Sequence, residues 1–136
     1  MLSPTVDTVR LFLHVLAASV WVGGQIVLGG LVPALRRSFP EAPRVAAKAF
    51  ARIAWPAFAV VVVTGLWNLG DIDVTNTTTA YQVTLFVKIL LAMASGAAAF
   101  VHQVGQSKAA LAIGGAVGLL AALGAMFCGY LLTTGT

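Results

Sequence analysis

Apolar residues run almost without interruption through four stretches of the chain, about 9–31, 53–69, 83–102 and 110–132. Each holds roughly 17 to 23 residues, the length a helix needs to cross a hydrocarbon core about 30 Å thick. The strict alternation of barrel strands is absent, and in lipid each segment has to satisfy its own backbone polar groups, so the four runs predict helices. The expected fold is an all-α membrane protein, a single four-helix transmembrane bundle over 1–136. The first run carries no small-residue cleavage pattern at its end and is expected to stay in the mature protein.

The polar stretches between the runs set the orientation. Arg36, Arg37, Arg44, Lys48 and Arg52 lie around the first connection and Lys108 in the third, whereas the second, 70–79, holds Asp71 and Asp73 and no Lys or Arg. Cations mark the cytoplasmic side, so the acidic connection and both termini are expected to be extracytoplasmic. Trp67, Tyr81 and Tyr130 at outward ends and Trp55 at an inward end fit interfacial belts. Pro33, Pro40 and Pro43 predict a broken connection over 33–50 containing a short interfacial helix after Pro43, with Arg44 and Lys48 one turn apart. The same cations suit anionic lipid, although orientation is their first use.

Composition narrows the class further. Of 136 residues 60% are hydrophobic and 9% charged, too little polar surface for a soluble domain of this size. The formal charge of +4 is gathered at one connection and is not interleaved with aromatics, which excludes nucleic acid as a partner and leaves the lipid bilayer. A single cysteine, Cys128, permits no internal disulfide. The four carboxylates all fall outside the apolar runs, and no phosphate loop, nucleophile triad or zinc spacing is present, which excludes hydrolytic and nucleotide chemistry.

Polar residues inside a span are costly and mark candidate chemistry. In the first run Arg10, His14, Ala18, Trp21 and Gln25 share one helical face; in the third Thr84, Lys88, Ala92, Ser95, Ala99 and His102 do so. Two such stripes are tolerable facing each other, so spans one and three are expected to share an interior. At about 1.5 Å per residue, His14 lies roughly 8 Å below the outward end of its span and Lys88 at a similar depth. His102 falls at the inward end, about 20 Å or more from that level, too far for both histidines to hold one metal. In the fourth run the small-residue row Gly118, Ala122, Met126, Gly129 predicts that Met126 turns inward and Cys128 does not. The glycines, Gly114 and Gly118 among them, allow close helix packing, including self-association as a homo-oligomer or within a larger complex. Equally, they leave room beside a histidine for a flat macrocycle.

The strings His14-Val-Leu-Ala-Ala-Ser-Val-Trp21-Val-Gly23-Gly24, Val63-Thr64-Gly65-Leu66-Trp67 and Phe86-Val87-Lys88-Ile89-Leu90 together resemble the copper-resistance D family of membrane domains. The arrangement of His14, Trp21, Gly24 and Lys88 also resembles the bacterial membrane protoporphyrinogen oxidase family. After Gly24 this chain has Gln25-Ile26-Val27-Leu28 in place of that family's aromatic and Leu-Pro-Arg run. The second resemblance implies a multi-pass protein of a bacterial inner membrane in which His14 ligates haem b and Lys88 is the second functional residue. Met126 is then a candidate for the opposite axial ligand, Arg10 and Lys88 compensate the propionates, and Trp21 shapes the pocket. Electron transfer or a haem-dependent membrane oxidoreductase follows. The first resemblance implies copper binding or transport, for which the chain offers Cys128, Met93, Met126, His14 and His102, a thin set of successive sites. Haem ranks ahead of copper on this chemistry, and an accessory subunit that docks by its glycine faces is the third alternative.

Overall fold

A computed structural model describes residues 1–135 of the chain. Regular structure among these residues is helical: α1 Val6–Ser38, α2 Ala42–Gly70, a 3₁₀ turn Val74–Asn76, α3 Thr79–Val104 and α4 Lys108–Thr134. All four α-helices are long and apolar enough to cross a membrane. They carry large exposed apolar side chains along their length, among them Phe12, Leu66, Phe86, Leu120 and Phe127, as a lipid-facing surface requires.

The helix ends follow local chemistry. Thr5 caps α1 in a reciprocal capping box with Thr8, each side chain bonded to the other's backbone N–H at 3.2 Å. Thr78 and Ser107 cap α3 and α4 by accepting from the N–H of Tyr81 and Ala110. Asp7 in the first turn of α1 and Arg36 and Arg37 in its last complement the helix dipole.

Two of the helices differ from the sequence expectation. The first persists through Pro33 to Ser38, and the second begins at Ala42, so 33–50 is helix on both sides of a three-residue turn and not a broken connection with a separate interfacial helix. The physical reason lies in where each proline falls. Pro43 sits in the first turn of α2, where a missing N–H costs nothing, and the alanine-rich stretch behind it favours helix. Pro33 removes one hydrogen bond from an already long helix without ending it. Hydropathy marks the part of a helix that suits hydrocarbon; it does not mark where the helix stops.

The chain divides into two compact units, Met1–Ile72 and the remainder from Asp73. In the first, α1 packs on α2 through Ala17, Trp21 and Val22 on one side and Ala54 and Thr64 on the other, all buried. Trp21 meets Phe58 at 4.6 Å and Trp55 at 5.4 Å between ring centroids. Nearby, Gly24 makes room for the Phe50 ring of α2, which a Cβ there would strike.

In the second unit the buried residues of α4 are Gly114, Gly118, Ala121, Ala122 and Cys128. Gly114 lies on the backbone of Ala98 and His102, and Gly118 beside Ser95 and Ala98. Buried Ser95, 1% exposed, donates to the Gly118 carbonyl at 2.9 Å. This glycine face is therefore taken up by α3. Cys128, 8% exposed, is the buried member of its pair, and Met126 is only partly covered, the reverse of the expected assignment. Both Ala121 and Ala122 are buried after Gly118, and the seven-residue step from Ala121 to Cys128, an average of 3.5 per turn, carries the seam on to Cys128 and away from the row through Met126.

Candidate functional site

The polar face of α1 is turned toward α2. His14, partly buried, brings Nδ1 within 2.7 Å of Thr64 Oγ1. Thr64 is itself buried, and its hydroxyl donates to the Val60 carbonyl at 2.5 Å, with the Val61 carbonyl at 3.3 Å. A hydroxyl has one proton, and both carbonyls only accept, so toward His14 the threonine oxygen is the acceptor. His14 Nδ1 is thus the protonated nitrogen, and in the neutral ring Nε2 carries the lone pair. Next along α2, Gly65 seats the imidazole edge: a Cβ at that position would lie 3.4 Å from His14 Cε1.

One turn toward the N-terminus, Arg10 is 9% exposed and bonded to two carboxylates, Asp7 at 2.9 Å and Asp71, while its guanidinium stands 5.4 Å from the Trp67 ring centroid. Its Nε is buried without a hydrogen-bond partner among the described residues. These contacts tie the start of α1 to the end of α2 just beyond His14. Trp21, about 10 Å further along the axis, belongs to the aromatic seam with Trp55 and Phe58. Gln25 turns back to donate to the Trp21 carbonyl at 3.0 Å. Of the expected first-span set, Arg10, His14 and Trp21 all face α2.

In the second unit Lys88 is partly buried and lies over Gly129, where a Cβ would meet Nζ at 3.5 Å. Among the described residues its ammonium makes no ion pair. The rest of its stripe bonds locally or to α4. Thr84 donates to the Ala80 carbonyl, and His102 Nδ1 donates to the Leu111 carbonyl at 2.5 Å with its ring against Gly115.

Sequence reasoning missed three partners: Thr64 for His14, Asp71 for Arg10 and Gly129 for Lys88. A lone threonine in an apolar run was the available signal for the first, since a buried hydroxyl needs a partner. Among the described residues no three His, Cys, Asp or Glu side chains gather so as to hold a metal ion. Comparisons with protein-family models, curated proteins and solved structures gave no match.

Proposed function

We propose that the chain is an integral membrane protein that binds haem b through His14, in the extracytoplasmic half of its first span, for electron transfer or redox chemistry. The observation that carries this reading is the His14–Thr64 hydrogen bond. A ligating imidazole ordinarily donates its second ring N–H to a neighbouring acceptor, which fixes the tautomer and aims the other nitrogen at the metal. Thr64, its own proton committed to Val60, imposes that tautomer on His14 within an apolar helix pair.

The residues present fit the group. An axial site asks for one imidazole of defined tautomer and not for a cluster of three ligands, and Gly65 lies against the edge of the His14 ring. Haem b held there would supply a one-electron couple, with a potential raised by a low-dielectric setting. Lys88 belongs to the second unit, where among the described residues it has no carboxylate partner, and is read separately as a group for a substrate carboxylate. Arg10 is already neutralised by Asp7 and Asp71, so its part is to fasten the helix ends beside His14, and Trp21 holds the helix pair together below it. With the cations of 36–52 on the cytoplasmic face, both termini and His14 lie toward the extracytoplasmic side of a bacterial inner membrane.

The test is absorbance and metal analysis of the protein purified in mild detergent from haem-replete cells. A Soret band with about one haem per chain, lost in His14→Ala and kept in His102→Ala, is the expected result. Stoichiometric copper without a Soret band overturns the proposal in favour of copper handling; neither metal leaves the accessory-subunit role.

A further inference from the structure

Arg44, Lys48 and Arg52 stand at intervals of four residues on α2, so their Cα atoms form one stripe about 12 Å long. At 100° per residue the stripe lies well away from Phe50, Ala54 and Phe58, the side of α2 turned to α1, and all three cations are exposed. Like charges at this spacing repel, and each such pair works against the helix. Among the described residues none of Arg36, Arg37, Arg44, Lys48 and Arg52 is held in an ion pair, nor is Glu41, the one acid in the segment. Orientation in a membrane depends on the number of cations on a side and does not ask for their alignment on one helical face. The alignment therefore calls for an anionic counterpart outside the chain.

Depth identifies the counterpart. With 33 and 29 residues, α1 and α2 are about 50 and 44 Å long, well beyond the ~30 Å of hydrocarbon. Their shared turn lies after the apolar part of α1 and before that of α2, which puts it at the level of lipid headgroups. Phe39 and Val45, 67% and 68% exposed, offer apolar side chains at that same end. Cations with exposed apolar neighbours at an interface match phosphodiester headgroups, which guanidinium groups grip in bidentate fashion. We propose that Arg44, Lys48 and Arg52, with Arg36 and Arg37 at the end of α1, form a binding surface for anionic phospholipid. This is independent of haem.

The experiment uses the full chain, delipidated in neutral detergent and mixed with equal phosphatidylglycerol and phosphatidylcholine, with bound lipid read by native mass spectrometry. Phosphatidylglycerol should be retained over phosphatidylcholine and released by added salt. Retention should fall roughly five-fold for each cation removed in R44Q/K48Q/R52Q. Lys108→Gln, an exposed cation outside the stripe, should leave it unchanged. Equal retention of the two lipids, undiminished phosphatidylglycerol in the triple variant, an equal loss in Lys108→Gln, or displacement by a short oligonucleotide ahead of phosphatidylglycerol overturns the proposal. Should the triple variant lose helicity, Lys48→Gln alone must still lower retention several-fold, and no change there is equally decisive against it.

Discussion

The Thr64 hydroxyl gives its proton to Val60 and its lone pair to His14. Thr64→Val keeps the shape and removes both bonds, leaving the His14 Nδ1–H without this acceptor. It should lower stability by about 1–2 kcal/mol in denaturant titration followed by circular dichroism, and in haem-loaded protein it should shift the midpoint potential, whereas Thr84→Val, whose bond stays within its own helix, should do neither. At Arg10 the partners divide by exposure. Asp71 is half exposed, so solvent screening limits the effect of Asp71→Asn to about 1 kcal/mol in the same titration. Asp73, which accepts from Thr75 Oγ1 at 2.6 Å and Asn76 Nδ2 at 2.5 Å, is held below the ordinary carboxylate range, first by the Thr75 hydroxyl and then by Asn76. A depressed pKa contributes order that is present above the unfolded value, near 3.8, and is lost as pH falls through the folded one. Protection factors for hydrogen exchange at the Thr75 and Asn76 amides, corrected for the intrinsic pH dependence, should therefore be steady down to about pH 4 and fall only below it.

Among the elements, the glycines separate by what they touch. A Cβ at Gly114 would lie 3.0 Å from the Ala98 carbonyl oxygen and 3.0 Å from the His102 nitrogen, backbone atoms of a neighbouring helix that do not yield cheaply. Gly114→Ala should cost about 1–3 kcal/mol, and Gly29→Ala, with nothing within 4 Å, should be neutral or stabilise by up to about 1 kcal/mol through helix propensity. Unfolding titrations of the two variants side by side check the contrast; equal effects would mean that α3 and α4 do not close on that face. The composition of these two glycine-rich runs is similar, and it was their neighbours that set their roles.

For the whole molecule, charge placement makes a separate demand. On the proposed orientation, exchanging Arg36, Arg37, Arg44, Lys48 and Arg52 for Gln together removes the cations that would hold the first connection on the cytoplasmic side, and the population should become mixed in orientation. Reporter fusions at the C-terminus measure this: an outward C-terminus in the parent and both orientations in the variant are expected, and an unchanged single orientation contradicts the assignment. Four membrane-length helices and the polar face of α1 were legible in the sequence because hydrophobicity and 3.6-residue spacing are properties of one segment at a time. The end of α1, the start of α2 and the choice between Met126 and Cys128 were not. Each depends on where a proline falls within a turn or on how far a contact seam drifts around its partner.

The amino-acid order by itself determined which four runs are long and apolar enough to cross a bilayer and which side chains share a stripe, since these follow from transfer energies and backbone periodicity. Tertiary structure decided that His14 donates to Thr64, that Arg10 is spent on two carboxylates and that α3 fills the glycine face of α4. Such pairings join residues dozens of positions apart, and only the packing of one helix on another selects them.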